Sequence, residues 1–391
     1  MRYAIFFVVL IAVDLLLHWF LWTRLVRDPG WSARAQLAGT IVTIVFAVAT
    51  PLGMVLARSL PRTIAQPIAS AIFVWMGVAF VLFSITLFFQ VLKVALAGAV
   101  ALYAKIGSGG EAPDPVRRQL LARGAAIATG VIAAGAAARG LANGLGEVEV
   151  REVEVKLARL PPALAGMTIV QLSDVHVGPL IGSRFIEQLV ARVNALKPDA
   201  IVITGDLVDG SVAELGQHVA PLSKLSARWG RYFVTGNHEY YSGVDEWLPE
   251  LSRHGLRVLR NERVTLGDAA SIDLAGIDDA HADRFGGDHG ADLVKAVRER
   301  DLERELVLLA HQPLAIDDAA KVGVGLQLSG HTHGGQIWPF EHIVKLVQPY
   351  VAGLHTHGET TTQIYVSRGT GFWGPPMRIG APAEISKIIL V

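Results

Sequence analysis

Long apolar segments near the N-terminus limit what this chain can fold into more strictly than any other feature. They cover residues 3–22, 37–57 and 68–89, and each matches the roughly 20 residues that an α-helix needs to cross a bilayer. Apolar residues continue over 94–104, too few for another span and a turn, so we predict one long or bent third helix. We therefore predict an all-α transmembrane module of three spans over residues 1–105.

A fourth, weaker apolar segment lies within residues 106–146, which we predict to link the membrane module to the rest of the chain. It covers residues 124–138, is rich in alanine and glycine, and follows Arg117 and Arg118. The basic pair, the apolar stretch and small residues up to a cleavage point after Ala138 resemble a twin-arginine export signal. The same residues also fit a plain fourth transmembrane helix or a helix on the membrane surface.

Basic residues near these segments predict the orientation, because lysine and arginine in short loops resist translocation. They cluster after the first span and before the fourth segment, at Arg24, Arg27, Arg34, Lys105, Arg117, Arg118 and Arg123. Both loops are then cytoplasmic, although Arg58 and Arg62 do not fit this arrangement. Four crossings put the C-terminal part on the external or periplasmic face of the inner membrane, which we expect, whereas three crossings put it in the cytoplasm.

Within the first span, Asp14 and His18 are four residues apart and therefore lie on one face of a helix. Ionisable residues are costly inside a bilayer and are often functional there, so a proton relay is one interpretation. We favour the simpler one, in which the two side chains hydrogen-bond and hold helices together.

Charge and cysteine content exclude several classes of function. Lysine plus arginine total 35, and aspartate plus glutamate total 35, so no excess of positive charge predicts a nucleic-acid partner. The chain has no cysteine, which excludes disulfides and thiolate metal sites. Any metal ion must therefore be bound by His, Asp, Asn or Glu.

The chain changes character after residue 146. Residues 147–155 alternate between apolar and charged side chains, a period of two that predicts a strand with one buried face. Further candidate strands lie at 167–172, 200–204, 232–235, 306–310 and 326–329, and candidate helices at 184–196, 214–227, 244–254 and 314–321. Alternating strands and helices predict a layered α/β domain over residues 147–391.

Short polar motifs directly follow five of the candidate strands. They are Asp174-Val175-His176, Gly205-Asp206-Leu207-Val208-Asp209, Gly236-Asn237-His238-Glu239, His311 and Gly330-His331-Thr332-His333. Each motif alone is weak, since a single His or Asp after a strand more often bonds to the local backbone. Ligands collect at the carboxyl ends of strands in such sheets, so we expect the motifs to meet. Together they supply about seven imidazole, carboxylate and amide groups, a set suited to two ions of Zn, Mn or Fe.

In order and spacing, these motifs resemble the calcineurin-like metallophosphoesterase family. The resemblance covers residues 167–335 closely, with a family-like tail to Val391, and it implies a β-sheet sandwich flanked by helices. It also implies two divalent ions (Mn, Zn or Fe), one bound by Asp174, His176, Asp206 and His333 and the other by Asp206, Asn237, His311 and His331. Asp206 would bridge them. Residues 172–178 and 330–339 are similar to a bacterial, membrane-anchored subgroup.

The resemblance also implies roles for residues that bind no ion. His238 would lie at the substrate, where it stabilises the transition state or protonates the leaving oxygen, and Asp209 would orient it. Glu239 stands where the family often has Asp, a change that we expect to have little effect on catalysis. Two bridged ions suit phosphoester hydrolysis, because they lower the pKa of a water and neutralise charge on the attacking and leaving oxygens.

These expectations lead to one principal hypothesis and two alternatives. The principal hypothesis is a membrane-anchored hydrolase of phosphomono- or diesters, with envelope or lipid-linked phosphates as substrates. One alternative is pyrophosphate cleavage in an acylated sugar nucleotide of the UDP-diacylglucosamine type, and the other is a non-catalytic, metal-stabilised sensor module. The expected partners are the lipid bilayer and a phosphoester substrate, without nucleic acid, and no oligomeric state is predicted.

Three features lie outside the motifs. An aromatic loop at 334–340 is expected either to contact the substrate or the bilayer, or to pack as an ordinary hairpin. His355 and His357 repeat the His-x-His spacing but follow no clear strand, so we expect that they are not ligands. Arg368 with the Gly-rich residues 369–374 is a hypothetical contact for phosphate oxygens.

Overall fold

The structure is a computed structural model that describes residues 2–106 and 115–391. Its residues group into two compact units, Met1–Ala142 with Pro375–Met377, and Asn143–Gly374 with Arg378–Val391. Residues 107–114 of the predicted linker lie outside the described part of the chain. The division of the sequence at residues 105 and 146 stays a prediction.

Long helices build the first unit. They are α1 (Arg2–Leu21), α2 (Ala33–Ser59), α3 (Arg62–Ile106) and α4 (Pro115–Leu145), and a π-helical turn at Trp22–Arg27 extends α1. Among the described residues, four stretches are long and apolar enough to cross a bilayer: Phe7–Arg27, Ala33–Leu56, Thr63–Ala99 and Val116–Leu145. A helix suits such segments because it satisfies every backbone polar group internally.

A polar contact inside the first unit joins α1 to α3. Nδ1 of His18 lies 2.9 Å from the backbone carbonyl of Asp14 and 3.3 Å from its Oδ1. The indole Nε1–H of Trp75 donates to Nε2 of His18 at 3.1 Å. Since Nε2 accepts this bond, Nδ1 carries the proton that Asp14 accepts, and the imidazole is neutral. These contacts favour the interpretation in which the pair holds helices together.

The second unit contains the strands of the described chain. They are β1 (Glu149–Val155), β2 (Thr168–Leu172), β3 (Ala200–Thr204), β4 (Arg231–Val234), β5 (Arg257–Val258), β6 (Glu262–Gly267), β7 (Ser271–Gly276), β8 (Leu306–Leu309), β9 (Leu326–Ser329), β10 (Gly353–Thr356), β11 (Gln363–Val366) and β12 (Glu384–Leu390). The helices are α5 (Ser183–Ala195), α6 (Val212–Val219), α7 (Asn237–Tyr241), α8 (Val244–Arg253), α9 (Leu293–Ala296), α10 (Ile316–Lys321) and α11 (Glu341–Val344).

Within residues 115–391, the strands form two six-stranded sheets. Their orders are β1-β12-β2-β3-β4-β5 and β10-β11-β9-β8-β7-β6. In the first sheet β2, β3 and β4 are parallel neighbours, and in the second β8 and β9 are parallel. The loops that follow these strands therefore emerge at the carboxyl-terminal edge of each sheet, where the polar motifs lie.

Alternate side chains of each strand enter different core layers. Val202 and Val234 of the first sheet are buried together with Val307 of the second, so the two sheets pack face to face. Ile201 and Phe233 point to the opposite face, where they are buried with residues of α5, α6 and α8. Residues of α10 cover the outer face of the second sheet. The predicted layered α/β domain, preceded by long apolar helices, is confirmed.

Several elements differ from the sequence-based expectation. The helix predicted at 214–227 ends at Val219 and continues as a 3-10 turn, Ala220–Lys224, because Pro221 has no amide hydrogen to donate within a helix. The strand predicted over 147–155 forms β1, but it lies at a sheet edge and its Val150 is exposed. An edge strand has one neighbour and is covered less completely than a central strand.

We expect Trp247→Ala to lower the free energy of unfolding of the second unit by about 3–5 kcal/mol. Trp247 is fully buried, and its Nε1–H donates to the carbonyl of Gly210 at 2.9 Å. Thermal unfolding of the full chain in detergent, followed by near-ultraviolet circular dichroism, measures the effect. Leu302→Ala, at an exposed position, is the control, and equal midpoints for the two variants would contradict the expectation.

Candidate metal centre

The polar motifs of the second unit meet at one edge of the two sheets. Asp174 and Asp206 lie shortly after β2 and β3, Asn237 begins α7 after β4, and His311 and His331 follow β8 and β9. Because the sheets face each other and these strands run parallel with their neighbours, the loops converge from both sheets. The residues predicted as metal ligands are thereby brought together, and their roles as ligands remain predictions.

One group of potential ligands contains Asp174, His176 and His333, whose ligand atoms lie within 4.8 Å of one another. The Nε2 atoms of His176 and His333 are 3.1 Å apart, and Oδ1 of Asp174 lies 3.4 Å from Nε2 of His333. All three side chains are buried. Imidazole nitrogens that face each other at this distance, beside a carboxylate, form a donor set that suits a transition-metal cation.

A second group contains Asp206, His311 and His331. Nε2 of His311 lies 3.1 Å from Oδ2 of Asp206 and 3.2 Å from Nδ1 of His331. Nδ1 of His311 donates to the carbonyl of Thr204 at 2.7 Å, an arrangement that leaves the lone pair of Nε2 for a ligand bond. Oδ2 of Asp206 is also 3.9 Å from Nε2 of His176. Asp206 therefore lies between the groups, as a bridging carboxylate would.

Asn237 contributes an independent observation. Its side chain is buried, and its Oδ1 has no hydrogen-bond partner among the described residues. A buried acceptor without a partner costs about 1–3 kcal/mol, which a bound cation offsets by taking the oxygen as a ligand. The donor set around Asn237 thus fits the two divalent ions that the family resemblance implies.

The backbone at the centre is strained. Five of the predicted ligands have positive φ values: Asp174 (53°), His176 (53°), Asp206 (52°), His331 (70°) and His333 (51°). Residues with a Cβ seldom adopt this left-handed region, and each costs about 1–3 kcal/mol there. Such strain persists where the surrounding structure imposes it, and it is concentrated at functional sites. These turns direct the side chains of adjacent motifs toward one point.

Glu239 holds two of the ligand loops together. Its buried carboxylate accepts hydrogen bonds from the backbone N–H groups of Asp206 (2.9 Å), Leu207 (2.7 Å) and Gly236 (2.7 Å). Burial and the nearby Asp206 carboxylate raise the pKa of Glu239 to about 7. These contacts give the carboxylate a positioning role, and the expectation that glutamate in place of aspartate has little effect on catalysis stays a prediction.

Two glycines allow the loops to approach closely. A Cβ on Gly236 would collide with the Asp206 carboxylate, and a Cβ on Gly330 would collide with the side chains of Ser173 and Asp174. Any larger residue would therefore displace a carboxylate of the centre.

His238 lies beside the metal groups and is held by Asp209. Nδ1 of His238 is 2.5 Å from Oδ1 of Asp209, whose carboxylate oxygens are also 3.1 Å and 3.2 Å from Nδ1 of His176. The backbone N–H of His238 donates to Oδ1 of Asp206 at 2.9 Å. Burial lowers the pKa of His238, but Asp206 and Asp209 together raise it to about 9. The aromatic rings of Tyr241 and Trp373 flank its imidazole.

His331 and His333 have the opposite electrostatics to His238. Burial and the neighbouring His311 lower the pKa of His331 to about 3. Burial and His176 hold the pKa of His333 well below its usual range. Both imidazoles are therefore neutral near pH 7, the state in which a histidine binds a metal ion.

Arg378 is a supporting residue that the sequence did not reveal. Its side chain is fully buried, and Nη1 donates to the carbonyls of Arg368 (2.6 Å), His333 (3.1 Å) and Ala381 (3.2 Å). Burial lowers the pKa of the guanidinium to about 10, so it remains charged at neutral pH. Its donors tie the loop of His333 to the C-terminal segment.

A further cluster beside His311 was also missed. The side-chain amide of Gln312 donates to Oδ2 of Asp279 at 2.9 Å and lies 3.1 Å from Nδ1 of His281. The sequence signal is the pair Asp278-Asp279, which follows β7 in the same way as the recognised motifs follow their strands. It was missed because the strand that precedes it was not predicted.

Three residues singled out in the sequence lie in other surroundings. His355 belongs to β10, so the expectation that no strand is present there was wrong. His357 pairs with Asp317 at 3.0 Å, and neither histidine is in a metal-binding group found within the described residues. Nη1 of Arg368 is 3.0 Å from the buried Glu384 carboxylate, so its charge is compensated inside the domain.

Comparison with known proteins finds related phosphoesterase sequences. The family model described as calcineurin-like phosphoesterase matches residues 167–335. A bovine (Bos taurus) protein named as a transmembrane protein with metallophosphoesterase domain is 44% identical over 263 residues, covering 64% of this chain and 59% of that protein. The chain thus spans less than two thirds of that relative's length.

A bacterial relative and a solved structure complete the comparison. An uncharacterized metallophosphoesterase of Aquifex aeolicus is 34% identical over 239 residues, which cover 61% of this chain and 90% of that protein. The structure of an NAD nucleotidase from Haemophilus influenzae has a TM-score of 0.37 and 16% identity, and covers 52% of this chain and 50% of the other.

We expect Glu239→Gln to weaken manganese binding by about tenfold or more. Glutamine retains one acceptor oxygen, and its NH₂ group would face a backbone N–H that now donates to the carboxylate. Calorimetric titration of the full chain in detergent with Mn²⁺ measures the change. Glu246→Gln, on the exposed side of α8, is the matched control, and wild-type affinity in Glu239→Gln would disprove the positioning role.

Proposed function

This chain belongs to the calcineurin-like phosphoesterase family and is a metallophosphoesterase, and we propose that it hydrolyses phosphomono- or diesters at a membrane surface. One observation carries the proposal. Two groups of His and Asp side chains, most of them buried, converge on Asp206, and His238 lies beside them with its Nδ1 bonded to Asp209. This arrangement combines ligands for cations with a separate proton-bearing group.

The proposed ligands divide into two sets that share Asp206. One set is Asp174, His176, Asp206 and His333, and the other is Asp206, Asn237, His311 and His331. Nitrogen and oxygen donors without thiolates suit Mn, Zn or Fe. Bound divalent ions would lower the pKa of water, so that hydroxide forms near neutral pH, and would neutralise charge on phosphate oxygens.

His238 would act on the leaving group. Its Nδ1–H donates to Asp209, so the ring presents Nε2 to the substrate side. Because Asp206 and Asp209 favour the protonated form of His238, Nε2–H can stabilise charge on the phosphoryl group or give its proton to the departing oxygen. Asp209 holds the ring in this orientation and contributes no proton of its own.

The membrane module narrows the proposed substrate class. Helices apolar enough to cross a bilayer precede the catalytic unit, and the bovine relative is named as a transmembrane protein. Anchoring confines the active site to a bilayer surface, which favours envelope or lipid-linked phosphates. With four crossings and the basic loops inside, the catalytic unit of this inner-membrane protein lies on the external or periplasmic face.

We expect His238→Ala to lower the rate of hydrolysis of bis(p-nitrophenyl) phosphate by about 10²–10⁴-fold. The full chain, loaded with manganese in detergent, should retain its metal content because His238 is not among the proposed ligands. His342→Ala, at an exposed histidine, is the control. Equal rates in wild type and His238→Ala would reject the role of His238, and an inactive metal-loaded wild type would favour the sensor alternative.

We expect alkaline phosphatase fused after Val391 to be active, because four crossings export the C-terminus. A fusion at Gly30, in the loop that follows the first span, should be inactive and serves as the internal control. Enzymatic activity of the fusions in intact cells is the measurement. The reverse pattern would place the catalytic unit in the cytoplasm, where an acylated sugar nucleotide becomes the preferred substrate.

A further inference from the structure

Exposed apolar side chains cluster on the segment that follows the last metal motif. They are Trp338 (56% exposed), Ile343 (53%), Leu346 (81%), Val347 (68%) and Trp373 (57%). We call these five residues the apolar rim. Scattered apolar residues are normal on a protein surface, whereas a cluster of large ones marks an interaction site.

The helical turns within the rim have an exposed aliphatic face. Backbone hydrogen bonds continue α11 as helical turns through Leu346, Val347 and Gln348. Ile343, Leu346 and Val347 have the i, i+3, i+4 spacing of one helical face, and this face is exposed. The buried positions of the same turns are Val344 and Gln348, so apolar side chains occupy the exposed face as well as part of the buried one. A face of large exposed aliphatic residues suits an apolar partner.

The rim begins at the proposed catalytic histidine. The ring of Trp373 lies 5.7 Å from the ring of His238, centroid to centroid. The side-chain amide of Gln336 accepts from the backbone N–H of Trp373 and donates to its carbonyl, both at 3.0 Å. This pair of bonds joins the Trp373 loop to the segment that carries Trp338 and α11. A partner that covers Trp373 therefore lies beside His238.

The charged groups of this segment are paired with one another. The carboxylate of Glu341 is 3.4 Å from Nζ of Lys345 and 3.8 Å from Nε2 of His342. Glu341 and Lys345 thus compensate each other, and Lys345 is exposed on the segment with the aliphatic face. A bilayer surface offers phosphate headgroups for the lysine and acyl chains for the aliphatic residues, and tryptophan side chains prefer this boundary.

We infer that the apolar rim docks on the lipid bilayer and admits the phosphate headgroup of a lipid directly to His238. We assign the bilayer as the binding partner of the apolar rim for two reasons. The same chain carries the membrane-spanning candidates, and only residues 146–148 separate the end of α4 from β1. The identity of the substrate in this inference rests on the proposed function, whereas the docking itself does not.

Spin labels test the docking without reference to catalysis. Because the chain has no cysteine, Leu346→Cys and Val347→Cys each give one labelling site on the full chain in nanodiscs. Val294→Cys and Leu302→Cys, at positions 71% and 67% exposed in the same unit, are matched controls. We expect the rim labels to be accessible to oxygen and protected from a water-soluble nickel complex, unlike the controls. Nickel accessibility equal to the controls, or protection from both reagents as a protein partner would cause, overturns the inference.

A second measurement tests the link to the substrate. We expect Leu346→Asp/Val347→Asp to lower hydrolysis of phosphatidylglycerol in nanodiscs by about tenfold, equivalent to roughly 1.4 kcal/mol, with the rate on soluble bis(p-nitrophenyl) phosphate unchanged. Val294→Asp/Leu302→Asp should alter neither rate. Equal losses on both substrates would indicate damage to the active site and overturn the assignment of the rim as a headgroup entrance. If wild type cleaves neither substrate, the proposed function fails, and the spin-label result alone decides the docking.

Discussion

The buried carboxylate of Asp206 is the group on which the rest of the centre depends. It lies between two clusters of imidazoles, 3.1 Å from His311 and 3.9 Å from His176, and it accepts the backbone N–H of His238. A buried carboxylate requires compensating charge or hydrogen bonds. Histidines from both sheets and a neighbouring backbone N–H supply part of that compensation, so the two sheets must be aligned before the site exists.

Bringing the loops of the two sheets together strains the backbone. Residues outside the proposed ligand set hold the loops in place. Asp206 itself has a left-handed φ, as do the proposed ligands of the first and last motifs. Glu239 binds the backbone of the Asp206 loop, and Arg378 binds the carbonyl of His333. Strain at a functional site persists only when surrounding contacts impose it. The fully buried guanidinium of Arg378 and the carboxylate of Glu239, which accepts three backbone hydrogen bonds, make such contacts.

Much of the centre could be predicted because it follows local rules. The strands expected at 200–204 and 326–329 are present at those residues, and a polar motif directly after a parallel strand emerges at the ligand-binding edge. The supporting residues follow no local rule. Arg378 is 45 residues away from His333 along the chain, and β12 pairs with β1 and β2 across more than two hundred residues. Nothing in their immediate neighbours predicts such contacts.

The sequence by itself determined the layered α/β class, the apolar helices before it and the order of the polar motifs, because hydropathy period and motif spacing depend on neighbours in the chain. Only the tertiary structure decided which atoms face one another. It brought Asp206 between the two histidine groups, placed Glu239 where it joins two loops, and left an aliphatic face after α11 exposed. These outcomes depend on how two sheets pack, and packing is a property of distant residues rather than of any single segment.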